Sequence, residues 1–217
     1  MTPTAHLSHP SRWRIPMLNN MNRRHFVTAG LAVTGLASFP GAVWALDDAR
    51  ARTLVDAVVS NINSVIASGK PLSGMISDFE RIFNTYADVN IIARSTLGAD
   101  ANRVSSAQLR AFTEAFRGYI ARKYGKRFNE FVGGRIEVNS VKQVKSWHEV
   151  KSTAYLRGQS PFEVSFLVSD RSGKDLFFDM IIEGISLRLS ERTEIGAMLD
   201  RRNGDVNALI ADLKQAG

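Results

Sequence analysis

The spacing of hydrophobic residues changes close to residue 134, and this change most limits the folds open to the chain. Before it, apolar residues recur every three to four positions, as in residues 48–68, which is typical of amphipathic helices. After it, apolar and polar residues alternate through 135–182, which is typical of strands with one covered face. Helical spacing returns near the C-terminus. Helices, then a meander of strands, then helices predict an α+β domain.

Capping and turn residues divide this pattern into elements. The sequence predicts helices over 48–68, 73–86 and 105–124, with Ser105 and Gln108 in a capping box, and a short helix that Asp88 caps and Gly98 ends. The segment 170–173 reads as a turn between the last two strands.

The last strand is predicted from Leu176 to Ile182, and residues 183–187 then turn the chain away from it. Ser190 is predicted to open a helix that Asn203-Gly204 stops, and Asp205 is predicted to cap a final helix.

The N-terminal 45 residues are predicted to be an export signal of the twin-arginine type. Arg23-Arg24 precedes a short, weakly apolar run over 27–39, and Val43-Trp44-Ala45 supplies a cleavage site near Ala45. The remaining domain is then 46–217. Two alternatives stay open: the general secretory route, and a start at Met1, Met17 or Met21.

Composition argues against several classes of function. Residues 1–45 carry four arginines and no acidic residue, so 24 basic and 21 acidic residues remain, too even a balance for a typical nucleic-acid binder. There is no cysteine, and His148 is the sole histidine after Ala45, so a multi-histidine metal site is excluded. Gly133-Gly134 lacks the residues of a phosphate-binding loop.

One arrangement of motifs resembles a known family. Asp179-x-x-Ile-Glu-Gly-Ile-Ser-Leu187 is followed by Arg192, by Gly204-Asp205 and by Leu209-Ile-x-x-Leu213. Ahead of it come FERIFNTYADVNIIARSTLG (79–98) and SSAQLRAFTEAFRGYIARKYG (105–125). This order resembles the MlaC-type periplasmic phospholipid carriers, once called toluene-tolerance proteins. The chain departs from the family in having Leu176-Phe177-Phe178 before the Asp, Ser190-Glu191-Arg192 where Asn-Tyr-Arg is usual, and Ile195 where an aromatic is usual.

The resemblance implies a fold and a function. Helices would pack on a curved antiparallel sheet in an NTF2-like cone that encloses an apolar cavity for acyl tails. The protein would be a non-enzymatic lipid carrier in the periplasm that needs no cofactor and no metal and helps to maintain outer-membrane lipid asymmetry. Its partners would be an inner-membrane ABC-type complex with a ring of MCE domains and an outer-membrane lipoprotein associated with a porin. A carrier of hopanoids is the main alternative.

Two sets of residues are the expected site. The resemblance implies a cavity, and predicted inward parity supports the choice of its wall residues, although the same pattern also fits a solid core; the residues are Phe112, Phe116, Val164, Phe166, Phe178, Met180 and Ile182. A cationic rim for a lipid phosphate or an acidic partner is predicted from the basic end of the 105–124 helix, although such residues also suit a helix C-terminus. The rim residues are Arg117, Arg122, Lys126 and Arg127.

A cavity enzyme of similar shape is the less favoured alternative. Asp179 and Glu183 lie on one side of the predicted last strand, and with His148 they would form an acid–base set. The simpler interpretation is a solvated outer face, and sequence spacing does not bring His148 to the two carboxylates.

Overall fold

The structure, a computed structural model, describes residues 46–217. The twin-arginine motif, the cleavage site and the choice of start codon all lie outside the described residues. Within them, four α-helices come first, a five-stranded antiparallel sheet follows, and two α-helices close the chain. The predicted α+β class is confirmed, because each change in hydrophobic spacing coincides with a change of element type.

Local capping signals set the helix boundaries before the sheet. The helices are α1 (Asp48–Ala67), α2 (Leu72–Tyr86), α3 (Val89–Leu97) and α4 (Ser106–Gly125), with 3-10 helices at Gly98–Asn102 and Lys126–Phe131. The Asp88 carboxylate accepts a hydrogen bond from the Ile91 amide at 3.1 Å, and Gly98 ends α3 with a φ of 60°. Ser105 and Gln108 form the predicted capping box.

The strands form a meander in which each strand pairs with the next. They are β1 (Arg135–Val144), β2 (Trp147–Tyr155), β3 (Phe162–Ser169), β4 (Leu176–Ile182) and the short β5 (Ile185–Ser186). The predicted turn joins β3 to β4, with the Gly173 amide donating to the Asp170 carbonyl at 2.8 Å and Gly173 at a φ of 82°.

A β-bulge changes which phenylalanine of β4 reaches the covered face. The register shifts between Leu167 and Val168, so that Val168 pairs with Phe177. The Phe177 ring centroid lies 5.8 Å from that of Phe166 inside the fold. Strict alternation predicted Phe178 on this face, and that prediction is wrong, because the Phe178 ring packs edge-on against Trp147, with 6.1 Å between centroids. The hydrophobic pattern could not predict the bulge, because residues 176–178 are all apolar.

Helix α5 begins three residues earlier than predicted. It spans Leu187–Arg201, and the N-cap is Ser186, whose hydroxyl accepts from the Leu189 amide at 3.1 Å. The prediction that Ser190 opens this helix is therefore wrong. Its end is as predicted, since Gly204 has a φ of 79° and Asp205 caps α6 (Val206–Gln215).

Helix α1 is fixed along the covered face of the curved sheet by polar contacts at both ends. Near its C-terminal end, the Asn63 side chain exchanges two hydrogen bonds with the Ile136 backbone, at 2.9 and 3.0 Å. Near its N-terminal end, Arg50 pairs with Asp175 at 2.7 Å. The core between these contacts consists of apolar side chains from α1, α2, α4 and the strands.

Candidate functional site

The covered face of the sheet and the helices above it enclose a cavity of about 590 Å³. Protein interiors are otherwise packed almost without voids larger than a water molecule, and this volume falls in the range of small-molecule sites. Most of the wall is apolar and comes from both layers of the fold. It includes Val58, Phe83, Phe116, Phe166, Phe177 and Ile182. An apolar wall of this kind suits hydrocarbon rather than a polar metabolite.

The cavity opens at one end of the sheet. The strand register places the start of β1 beside the end of β2, and the start of β3 beside the end of β4, as in the pairs Arg135 with Tyr155 and Val164 with Ile182. The exposed lining residues all belong to segments at this end: Arg127, Glu130, Gln159, Ser160 and Glu183. The site is therefore amphipathic, with a polar mouth and an apolar interior.

The structure brings most of the predicted wall residues together around this cavity. Five of the predicted set line it through α4, β3 and β4: Phe116, Val164, Phe166, Met180 and Ile182. Phe178 borders the cavity from the bulge, although its ring packs against Trp147. Phe112 is fully buried behind the wall, where its ring stacks on Phe116 at 5.9 Å between centroids. Their contact with a ligand remains a prediction.

The four predicted rim residues separate into different roles. Arg127 lines the cavity mouth, and no hydrogen bond or ion pair of Arg127 is seen within residues 46–217. Arg122 instead donates to the Leu213 carbonyl at 2.6 Å and to the Ala216 carbonyl at 2.9 Å. Lys126 donates to the Gly217 oxygen at 2.5 Å, and Arg117 pairs with Glu114 at 2.6 Å. Arg122 and Lys126 therefore bind the end of α6, which sequence spacing could not show.

Replacing Arg122 by Ala is expected to destabilise the protein by about 1–3 kcal/mol, because two carbonyls at the end of α6 lose a charged donor. Urea unfolding followed by circular dichroism measures this loss. Arg127→Ala is the matched control, since Arg127 makes no hydrogen bond to a carbonyl within residues 46–217, and its unfolding midpoint should stay within error of the parent's. Equal midpoints for both variants would contradict the capping role of Arg122.

Asp179 is a buried structural carboxylate rather than part of a solvated face. It is 4% exposed and accepts hydrogen bonds from the Met180 amide at 2.8 Å, the Arg188 amide at 3.0 Å and the Ser186 hydroxyl at 2.6 Å. These bonds join β4 to the first turn of α5, where a negative charge is also favoured by the helix dipole. The spacing of Asp179 and Ser186 in the sequence motif is the one signal that points to this contact.

The proposed acid–base set does not assemble. His148 is buried, and its Nε2 lies 3.2 Å from the Asp48 carboxylate of α1. It does not line the cavity, whereas Asp179 and Glu183 do. Glu183 is exposed in the turn after β4, with a φ of 50°. No group of three or more His, Cys, Asp or Glu side chains in residues 46–217 is placed to hold a metal ion.

A partly buried charge network joins α4 to α5 beside the cavity. Lys123 donates to Glu191 at 2.7 Å and also to Glu194, Tyr119 donates to Glu194 at 2.7 Å, and Tyr124 donates to Glu191 through a short hydrogen bond. Burial alone would lower the pKa of Lys123, but its bonds to the two glutamates outweigh burial and raise it. Burial and the neighbouring carboxylates raise the pKa of both tyrosines. At neutral pH the lysine is thus charged and both phenols are donors.

Comparison with known proteins agrees with this architecture. A solved structure described as a phospholipid-binding protein from Ralstonia solanacearum, in complex with a phospholipid, superposes with a TM-score of 0.63 at 17% sequence identity. The alignment covers 77% of this chain and 94% of that one, so the two share a fold. No curated protein matches the chain significantly.

Two further findings bear on identity. Among residues 46–217, none of the helices is both long and apolar enough to cross a membrane. The family model described as MlaC protein matches residues 52–215, which include the cavity, the Asp179 contact and both C-terminal helices. The chain therefore belongs to the MlaC family.

Proposed function

We propose that this protein is a periplasmic lipid carrier that holds the acyl chains of a phospholipid in its cavity. The observation that carries the proposal is the cavity itself, about 590 Å³ in volume, with an apolar interior and a polar mouth. Family membership supports it, and so does the likeness of the fold to a protein whose description names a bound phospholipid. No catalytic residue takes part in the proposed function.

A lipid that leaves a bilayer for water without a carrier faces a large free-energy cost. Each methylene that leaves a bilayer for water costs about 0.8 kcal/mol. A two-chain lipid with ~30 methylenes therefore faces a cost of ~24 kcal/mol, which makes spontaneous transfer slow. An apolar cavity replaces the bilayer for the chains that it receives, so the carrier needs no nucleotide of its own. We expect the mouth to leave the headgroup near water, and Arg127, which lines the mouth, is the proposed partner of its phosphate.

The proposed route connects two membranes. We infer that the protein is exported by the N-terminal signal segment and exchanges lipid with an inner-membrane ABC-type complex carrying an MCE-domain ring. At the outer membrane, the inferred partner is a lipoprotein–porin complex. These partners follow from the family resemblance, and the role in maintaining outer-membrane lipid asymmetry follows from the partners.

A single extraction experiment tests the proposal. The protein is purified from the periplasm of its native host without detergent, and its organic extract is analysed by mass spectrometry. We expect phospholipid at a substantial fraction of one molecule per protein chain. A hopanoid in its place would favour the alternative carrier role, and an extract without lipid would contradict the carrier function altogether. A parallel extract of an unrelated periplasmic protein measures the background.

A further inference from the structure

The wall of the cavity is not apolar throughout, because the first two turns of α5 add a donor and an acceptor. Arg188 and Glu191 are three residues apart on one helix face, and both border the cavity. They lie among apolar neighbours such as Leu187 and Phe116. Polar side chains in such a wall are costly unless each polar atom has a partner.

Glu191 has a buried oxygen without a partner in the described part of the chain. The residue is 2% exposed, and its Oε1 accepts from Lys123 and Tyr124, whereas its Oε2 accepts no hydrogen bond. The neighbouring donors cannot supply one. Lys123 has three N–H groups, and these serve Glu191, Glu194 and the Tyr119 hydroxyl; the single O–H of Tyr124 is used on Oε1.

Arg188 presents the complementary problem. Its Nε is buried and makes no hydrogen bond within residues 46–217, and its nearest carboxylate oxygen, on Asp179, lies 3.5 Å away. That Asp179 oxygen already accepts from the Ser186 hydroxyl at 2.6 Å. Within residues 46–217, one face of α5 therefore carries, beside the cavity, a buried N–H that lacks an acceptor and a buried carboxylate oxygen that lacks a donor.

We propose that Arg188 and Glu191 form a polar subsite for a hydroxyl group of the bound lipid. A hydroxyl group donates one hydrogen bond and accepts others, so it matches both unpartnered atoms. An ammonium group would match Glu191 alone, and a phosphate oxygen would match Arg188 alone. The hydroxyl comes either from the glycerol and headgroup region or from the acyl chain. This inference rests on the proposed function, because it assumes that lipid occupies the cavity.

Competition binding with four simple lipids tests the subsite and its source. Each displaces a fluorescent fatty acid from delipidated full-length mature protein. Stearic acid against 12-hydroxystearic acid tests a chain hydroxyl, and methyl stearate against 1-stearoylglycerol tests a glycerol hydroxyl. We expect the hydroxylated member of at least one pair to bind about tenfold more tightly, which corresponds to one well-formed hydrogen bond to a charged group.

Variants assign the preference to these side chains. Glu191→Leu and Arg188→Met should each reduce the hydroxyl preference to less than about twofold while still binding stearic acid. The matched control is Glu194→Gln, which alters another partner of Lys123 on the same helix but does not line the cavity; its preference should remain. If one of these two variants fails to fold, the hydroxyl preference of the other still tests the subsite.

The outcomes separate this inference from the proposed function. If the parent protein binds all four lipids equally, no lipid hydroxyl reaches the two atoms and the hydroxyl subsite is wrong, while the carrier function stands. If none of the four displaces the fluorescent probe, or the probe itself does not bind, the carrier function fails and the subsite fails with it. A preference that survives in both Glu191→Leu and Arg188→Met would place the hydroxyl elsewhere in the cavity.

Discussion

Replacing Val164 by Glu is expected to remove lipid from the cavity while the protein still unfolds cooperatively. Val164 lines the cavity from β3, opposite Ile182 of β4. A carboxylate at this position would face hydrocarbon when lipid is bound, which is strongly unfavourable. Without lipid, water can enter the open cavity and solvate the charge. Co-purified lipid per protein chain should fall by tenfold or more, about 1.4 kcal/mol for each factor of ten.

The matched control lies on the same strand. Val168 has the same side chain and the same parity as Val164, is fully buried, and does not line the cavity. A carboxylate there meets packed side chains such as Phe177 and has no water to reach. Val168→Glu should therefore lose about 3–5 kcal/mol of unfolding free energy, or fail to fold. Thermal melts of both variants, together with lipid extraction, distinguish a cavity wall from solid core.

Ile182 provides a second, independent test of the cavity wall. Ile182 pairs with Val164 across the strands but is partly exposed, whereas Val164 is buried, so Ile182→Glu should be solvated even more easily than Val164→Glu. If the two wall variants both unfold like Val168→Glu, the surface is ordinary core and the cavity does not admit lipid. If both fold and keep their lipid, the acyl chains do not contact this part of the wall.

Much of the fold follows from local signals in the sequence. Helical and alternating spacing mark the elements, and caps such as Asp88, Ser105 and Asp205 mark their ends. These signals are short-range, since a capping side chain bonds amides two or three residues away. Local signals do not suffice where two nearby residues could both cap a helix and a long-range contact determines which one does. Ser186 rather than Ser190 caps α5, because Asp179 of β4 holds the Ser186 hydroxyl and the Arg188 amide.

The cavity residues were predictable to the extent that strand parity holds. Val164, Phe166, Met180 and Ile182 obey it and line the cavity. Phe178 borders the cavity but breaks the parity, because a bulge inserts one residue and moves Phe177 to the covered face. A bulge leaves no mark in a run of apolar residues such as Leu176-Phe177-Phe178, so parity alone cannot locate it.

Charged residues were the least predictable part of the site. Four basic residues near the end of α4 look alike in sequence, yet Arg122 and Lys126 bind the end of α6 and only Arg127 lines the mouth. Their partners lie more than 90 residues away along the chain, at Leu213, Ala216 and Gly217. The role of Glu191 could not be predicted for the same reason, because its partners Lys123 and Tyr124 belong to another helix, distant in the sequence.

The second large effect is expected at Asp179, where Asp179→Ala should destabilise the protein by about 3–5 kcal/mol. The change leaves the Met180 and Arg188 amides and the Ser186 hydroxyl without their acceptor in a buried place. It also leaves the Arg188 guanidinium without the negative charge 3.5 Å away. Asp179→Asn should lose less, because its amide oxygen still accepts from one or two of these donors. Urea unfolding of each variant gives the free energies.

Glu183 provides the control for this prediction, because it lies four residues further along the chain, is exposed, and lines the mouth. Glu183→Ala should change the free energy of unfolding by less than about 0.5 kcal/mol. If Asp179→Ala were as stable as the parent protein, the bonds between β4 and α5 would not hold the helix. Its buried carboxylate would then be retained for chemistry in the cavity, and the acid–base alternative would regain support. A strong destabilisation with lipid still bound below the melting temperature instead makes Asp179 a structural residue that joins β4 to α5.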